Sequence, residues 1–385
     1  MTTREILAQL VAFDTVSARP NRALIDWVQA VLAGAGIASQ VIPDATGHKA
    51  NLFASVGQGA GVMLSGHTDV VPVDGQAWTH PPFALTEADG RYYGRGVCDM
   101  KGFVACSLSA MLKAAALERA GQPLRTALHL ALSHDEEVGC IGVGSLIDML
   151  AAAPFRPLMC IVGEPTLMQV ATGHKGKIGL RAAFTGREGH SALAPLALNA
   201  LHLAVDFVGV VRAMQARIVA DGTRDGDYDV PYTTLHVGRI AGGGPLNIVP
   251  NLCEVDYEVR NLAGDDPEAL MADLAAAAAR IVAATGAPEA SVSFTDLMRY
   301  PGLGTAPDAG VVRFVQSLTG ANATIKVAFG TEGGLFSARL GVPTVICGPG
   351  SMAQGHKPDE WVSVEQMTRC EAMLAALLGR LVAGV

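Results

Sequence analysis

The segment GVMLSGHTDVVPV, residues 61–73, begins as an apolar run and ends in polar residues that could carry chemistry. Its first four residues, Gly61 to Leu64, are typical of a buried strand. His67 and Asp69 follow two residues apart, and alternate residues of an extended chain point to the same side. We therefore expect the two side chains to lie together at the end of the strand, where a carboxylate can orient a metal-bound imidazole. A plain hydrogen-bonded pair is the alternative.

The bulk composition excludes several classes of protein. The chain has 385 residues, enough for two domains, of which 50% are hydrophobic and 17% charged. We find no uninterrupted apolar run long enough to cross a membrane and no signal peptide at the N-terminus. The net charge of −8, without a basic cluster, argues against nucleic acid as a partner. Seven scattered cysteines indicate buried free thiols, and hence a cytoplasmic protein.

The order of predicted helices and strands divides the chain into two domains. Strands and helices alternate through residues 1–173, which is typical of a mostly parallel α/β sheet. Residues 174–299 follow the order βαββαβ, and their strands alternate polar and apolar residues, which predicts a ferredoxin-like α+β insert. The α/β pattern resumes over residues 300–385. We therefore predict one discontinuous α/β domain interrupted by a smaller inserted domain.

Polar side chains collect at the predicted ends of strands in the α/β domain, and none of these clusters lies in the insert. The carboxyl ends of strands form the ligand crevice of an open α/β sheet, and buried carboxylates there need a counter-charge. Two divalent cations would supply it, because two histidines and three carboxylates suit a paired zinc site. Each residue alone has an ordinary alternative, such as a helix cap for Asp99, a solvated surface pair for the adjacent glutamates or a surface loop for His356. The clusters are His67 with Asp69, Asp99, Glu136 with Glu137, Glu164, and His356.

Six motifs occur in a fixed order along the chain: SGHTDVVP at 65–72, YGRGVCDMKG at 93–102, DEEVG at 135–139, GEPT at 163–166, GHSA at 189–192 and GHKPDE at 355–360. With this set the chain resembles the M20 metallopeptidase family of dinuclear zinc amidohydrolases over nearly its whole length. A subgroup that removes acetyl groups from amino acids is indicated by DGQAW at 74–78, GTEGGLF at 330–336 and GPGS at 348–351.

The resemblance implies a complete set of metal ligands. His67, Asp99 and Glu164 would bind one Zn²⁺ ion. His356, Asp99 and Glu137 would bind a second, so that Asp99 bridges the two ions of each subunit. Cobalt is the alternative metal, because availability as well as affinity decides which ion a site holds.

The resemblance also implies catalytic roles. Asp69 would orient His67, and Glu136 would be the general base. Spacing alone leaves open which of Glu136 and Glu137 is the base and which is the ligand, and the resemblance makes that choice. His190, in the insert, would reach the active site of a partner subunit and stabilise the oxyanion, which makes the insert a lid and dimerisation domain and the protein a homodimer.

Three further residues are candidates for contacts with substrate. Arg260 could grip an α-carboxylate through two hydrogen bonds, and Asn247 could make a polar contact. A structural role within the insert is the alternative for both. Glu332 could contact a cationic substrate side chain, and its alternative is a residue at a helix start, where acidic side chains are favoured.

The implied activity is hydrolysis of a small N-acyl amino acid. The subgroup motifs favour N2-acetyl-L-ornithine, cleaved to L-ornithine and acetate in arginine biosynthesis. A related deacylase, for example one acting on N-succinyl-diaminopimelate, or a dipeptidase is the alternative within the same class. A non-catalytic metal-binding scaffold is the alternative from another class, because a fold alone does not give a function.

Overall fold

The computed structural model describes all 385 residues as two compact units, Met1–Gly173 with Leu303–Val385, and His174–Gly302. The strands are β1 (Ser39–Pro43), β2 (Ala50–Val56), β3 (Gly61–His67), β4 (Thr86–Ala88), β5 (Arg91–Tyr93), β6 (Ala127–Ser133), β7 (Met159–Pro165), β8 (Val170–His174), β9 (Lys177–Thr185), β10 (Gly189–His190), β11 (Thr234–Gly242), β12 (Ile248–Val249), β13 (Leu252–Arg260), β14 (Ser291–Tyr300), β15 (Leu303–Gly304), β16 (Thr324–Val327), β17 (Thr344–Gly348) and β18 (Trp361–Ser363). The helices are α1 (Thr3–Ala12), α2 (Arg22–Gly34), α3 (Lys101–Arg119), α4 (Val143–Ala152), α5 (Ala200–Asp221), α6 (Pro267–Ala284), α7 (Gly310–Thr319), α8 (Gly333–Leu340) and α9 (Val364–Ala383), with a short 3₁₀ helix at Ser191–Leu196.

The first unit is built on a nine-stranded sheet in the order β1-β2-β6-β3-β7-β17-β8-β15, with β16 beside β8. Its four central strands, β6, β3, β7 and β17, run parallel, whereas β1 and β2 pair antiparallel at one edge. Every residue of β3 and β6 is buried. Continuous burial is what a parallel strand covered on both faces requires, and it explains the unbroken apolar runs in the sequence.

The parallel strands bring the predicted polar clusters to one edge of the sheet. In the register of β3 with β6, His67 pairs with Ser133, and the acidic pair Glu136–Glu137 begins three residues later. Glu164 lies near the carboxyl end of β7, and β17 ends at Gly348, ahead of the loop that carries His356. The side chains predicted from strand ends therefore follow four neighbouring strands.

Helix α3 packs against this edge at very close range. A Cβ atom at Gly163 in β7 would lie 1.9 Å from the ring of Phe103, so only glycine fits between α3 and the strand that carries Glu164. The helix begins at Lys101 with Met100 at its N-cap and no side-chain capping bond. The alternative in which Asp99 caps this helix is therefore wrong, and its carboxylate is left for other partners.

The second unit is a four-stranded antiparallel sheet in the order β11-β13-β9-β14, against which α5 and α6 pack. Alternate residues of β13 are buried, and the aromatic core centres on Phe207, whose ring lies 5.4 Å from those of Phe184 and Tyr257. The order βαββαβ with this sheet is the ferredoxin-like arrangement. The predicted fold class, an α/β unit with an inserted α+β unit, is confirmed.

Two compositional predictions bear on the whole chain. All seven cysteines are buried and free, as their scatter through apolar segments predicts. None of the helices has both the length and the apolar character that crossing a membrane demands.

Candidate metal centre and active site

The carboxylate of Asp99 lies between two histidines. Its Oδ1 is 3.1 Å from Nε2 of His67, and its Oδ2 is 3.1 Å from Nε2 of His356. Asp99 and His67 are buried, whereas the His356 side chain is 44% exposed. A carboxylate that turns each oxygen to a different imidazole has the arrangement of a ligand that bridges two metal ions.

Two glutamates complete the two halves of this cluster. Oε1 of Glu164 is 3.7 Å from Nε2 of His67, and Oε2 of Glu137 is 3.1 Å from Nε2 of His356. The five residues predicted as metal ligands therefore come together in the first unit, with Asp99 in contact with both histidines. Their division between two ions stays a prediction.

Glu136 also lies inside the cluster. Its carboxylate offers an oxygen within 4.8 Å of donor atoms of His67 and Glu164, and Oε1 accepts a weak hydrogen bond from the thiol of Cys140 at 3.3 Å. Burial, reinforced by the neighbouring Glu137, raises the pKa of Glu136 well above its usual range. A carboxylate with a high proton affinity beside a metal site is suited to accept a proton near neutral pH.

The electrostatics of the cluster reveal a shortage of positive charge. Burial, together with the carboxylate of Asp99, raises the pKa of Glu137 to about 7 and that of Glu164 well above its usual range. Hydrogen bonds to Asp99 and Glu137 raise the pKa of His356 to about 10. A buried carboxylate is stable only when neutral or paired, so this cluster favours the binding of protons or cations.

These residues fit a pair of divalent cations. Oε1 of Glu137 is buried and has no hydrogen-bond partner, which leaves an acceptor for an ion. Imidazole nitrogen and carboxylate oxygen are ligands of Zn²⁺ and of neighbouring first-row metals.

Asp69 contacts both His67 and the acidic turn. Nδ1 of His67 lies 2.9 Å from the backbone oxygen of Asp69 but 3.5 Å from its carboxylate, so the main-chain contact is the closer one. The carboxylate instead accepts the amides of Glu136 at 3.1 Å and Glu137 at 3.3 Å, and the hydroxyl of Ser17 at 2.7 Å. The two residues do lie side by side, and Asp69 in addition holds the turn that carries both glutamates. Sequence reasoning missed Ser17, which no motif marks.

Sequence reasoning also missed a buried ion pair beside the site. Nη1 of Arg95 donates to Oε2 of Glu360 at 2.7 Å, and each side chain is only 1% exposed. Both residues stand inside quoted motifs, YGRGVCDMKG and GHKPDE. The available signal was an acidic residue two positions before the apolar Val362, which is buried in β18, since a buried carboxylate needs a counter-charge.

Glu332 lies at the start of α8, where it makes no capping bond. Its side chain is 1% exposed, and Oε2 accepts a hydrogen bond from the hydroxyl of Ser65 at 3.4 Å. Burial raises its pKa to about 7. The buried carboxylate of Glu332 thus lies against β3 near its carboxyl end. Its contact with a cationic substrate stays a prediction.

His190 and Asn247 lie in the second unit. Both side chains are exposed. Nδ1 of His190 accepts the amide of Ala192 at 3.1 Å, which places the proton of a neutral ring on Nε2. That nitrogen is then a hydrogen-bond donor, as a role at an oxyanion requires, although the role itself stays a prediction.

Arg260 ends strand β13 in the same unit. Its Nε donates to Glu258 at 3.1 Å, and Nη1 donates to the hydroxyl of Tyr300 at 3.0 Å. These contacts hold the guanidinium in a fixed orientation. A grip on a substrate carboxylate stays a prediction, and it would have to use the remaining N–H donors or displace one of these partners.

The comparisons with known proteins agree with this geometry. A model of the peptidase family M20/M25/M40 matches residues 63–380. An acetylornithine deacetylase of Myxococcus xanthus is 37% identical over 99% of this chain and 98% of its own length. One from Pasteurella multocida (strain Pm70) is 32% identical over the same shares.

Solved structures show the same fold at lower identity. An M20 family metallo-carboxypeptidase, Sso-CP2 from Sulfolobus solfataricus, has a TM-score of 0.76 with 18% identity and covers 99% of each chain. A tripeptidase of Staphylococcus aureus has a TM-score of 0.75 with 18% identity, over 99% of this chain and 98% of that one. The chain therefore belongs to the M20/M25/M40 peptidase family, as a metal-dependent hydrolase that resembles acetylornithine deacetylases.

Proposed function

We propose that the protein hydrolyses the acyl amide bond of N2-acetyl-L-ornithine, releasing L-ornithine and acetate in arginine biosynthesis. The observation that carries this proposal is the Asp99 carboxylate shared between His67 and His356, an arrangement suited to two-metal hydrolysis. Full-length relatives named acetylornithine deacetylase, at 32–37% identity, support the choice of substrate. A cytoplasmic location stays a prediction.

We assign His67, Asp99 and Glu164 to one Zn²⁺ ion. His356, Asp99 and Glu137 are assigned to a second, with Co²⁺ as the alternative metal. Ions held there would polarise the amide carbonyl and lower the pKa of water. The contacts of 3.1 to 3.7 Å from the histidines to the carboxylates support this division of ligands.

Glu136 is the proposed general base. Its carboxylate accepts a proton as the oxygen of water attacks the acyl carbon, and it then delivers that proton to the amine as the carbon–nitrogen bond breaks. Asp69 supports this step by accepting the backbone amide of Glu136 at 3.1 Å, which fixes the turn. The choice of base is supported by the contact of Glu137, and not of Glu136, with His356.

The residues of the second unit are assigned to substrate recognition in a homodimer. His190 of one subunit would donate from Nε2 to the developing oxyanion in the other. Arg260 would bind the α-carboxylate, Asn247 would add a polar contact, and Glu332 of the first unit would face the cationic side chain. Exposed apolar side chains near His190, including Leu193 and Leu196, suit a surface that a partner covers.

A substrate panel tests the proposed activity. Metal-stripped protein should release amine from N2-acetyl-L-ornithine only after zinc is added, and faster than from N-succinyl-diaminopimelate or a dipeptide. If zinc-dependent turnover is fastest on another substrate, N2-acetyl-L-ornithine is the wrong substrate, but the assignment as a zinc-dependent hydrolase stands. Failure on every substrate, with metal confirmed bound, would contradict the proposal.

The base assignment predicts that Glu136→Gln retains both metals and loses activity. Loss of general-base catalysis typically lowers kcat by about 10²–10⁴-fold, whereas the ligand set is unchanged. Metal content by elemental analysis and initial rates should be measured together, with Glu118→Gln on the exposed face of α3 as a matched control. A Glu136→Gln protein that turns over normally would show that the base lies elsewhere.

The trans role of His190 predicts complementation between two inactive variants. When His190→Ala and Glu136→Gln proteins are unfolded and refolded together, mixed dimers contain one site with both residues intact. Activity per subunit should recover to about a quarter of wild type, because half of the dimers are mixed and half of their sites are complete. Each variant refolded alone is the control, and a mixture no more active than these would place His190 in its own subunit's site or outside catalysis.

A further inference from the structure

The carboxylate of Glu360 is buried and accepts four hydrogen bonds from the loop that ends at Asp99. Oε1 accepts the backbone amides of Cys98 at 2.9 Å and Asp99 at 3.0 Å. Oε2 accepts the amide of Gly96 at 3.0 Å and Nη1 of Arg95 at 2.7 Å. One side chain thus fixes the backbone on which the shared carboxylate stands.

Arg95 extends this contact to the loop of the second histidine. Its Nη2 donates to Oε1 of Gln76 at 2.6 Å, and Nε2 of Gln76 donates to the backbone oxygen of His356 at 3.1 Å. His356 has a φ of +60°, in the left-handed region that costs energy for a residue with a side chain. Its backbone therefore needs such support to hold that conformation.

Glu360 follows His356 by four residues and therefore belongs to the same segment of chain. The loop of His356 is therefore tied to the loop of Asp99 at two points, through Glu360 directly and through Arg95 with Gln76. All of these residues lie in the first unit. The backbones of Asp99 and His356 are consequently held by one hydrogen-bonded group.

We propose that Glu360 is a positioning residue for the metal pair, which sets the spacing between Asp99 and His356 through backbone amides and the Arg95–Gln76 contact. The inference rests on the metal assignment proposed above. Residues behind a ligand commonly set metal affinity, and their loss typically lowers it about 10–100-fold. No ligand role is assigned to Glu360, since both of its carboxylate oxygens already accept hydrogen bonds, from three backbone amides and from Arg95.

Glu360→Gln tests the proposal with little change of shape. The amide NH₂ would face backbone N–H donors, and Arg95 would lose its buried counter-charge. Zinc titration of metal-stripped protein should show the weaker of the two sites reduced about 10–100-fold in affinity, and the cobalt-loaded protein should have an altered visible absorption spectrum. Glu365→Gln, an exposed position five residues along the chain, is the matched control and should match wild type.

Gln76→Ala provides a milder variant in case Glu360→Gln does not fold. It leaves the buried Arg95–Glu360 ion pair in place and removes the contacts of the Gln76 side chain with Arg95, Trp78 and the backbone of His356. The zinc site that includes His356 should therefore weaken, while the other keeps its wild-type affinity. If both zinc sites keep their wild-type affinities in both variants, Glu360 has no positioning role, and the metal assignment stands. A lower melting temperature of the metal-free protein without a change in affinity or spectrum would equally overturn the positioning role. Wild-type protein that binds no metal would remove the assignment itself.

Discussion

Buried negative charge at the carboxyl ends of the parallel strands is the constraint on which the rest of the site depends. Asp99, Glu137 and Glu164 lie within reach of only two imidazoles, and burial raises the pKa values of both glutamates. A folded protein keeps such a group only when protons or cations balance it. The strands that form the core therefore also bring together, at their carboxyl ends, a cluster of carboxylates that favours divalent ions.

Two carboxylates that are not assigned as ligands hold the loops on which the ligands stand. Asp69 accepts the amides of Glu136 and Glu137, and Glu360 accepts those of the loop that ends at Asp99. Loops carry most of the reactive groups of this site, and loops are ordinarily the mobile parts of a protein. Backbone amides donated to a buried carboxylate give them the fixed geometry that preorganised catalysis requires.

The sequence predicted the fold and the meeting of the polar strand-end residues in one cluster for clear physical reasons. Periodicity separates buried parallel strands from the alternating strands of the insert, and the strand-end rule brings distant residues such as His67 and Glu164 to one edge. The contacts of Glu360 escaped prediction because three of its four hydrogen-bond donors are backbone amides, in a loop whose path has no periodic signal. The contacts of Asp69 escaped for the same reason. The roles of His190 and Arg260 depend on a substrate and a partner chain, so geometry within one chain does not decide them.

The central claim is that Asp99 is shared by two metal ions. Anomalous X-ray diffraction at the zinc edge, from a crystal of the zinc-loaded protein, measures this directly. We expect two peaks flanking the Asp99 carboxylate, one beside His67 and Glu164 and the other beside His356 and Glu137. A single peak with Asp99 bound through one oxygen, or zinc bound away from Asp99, would contradict it.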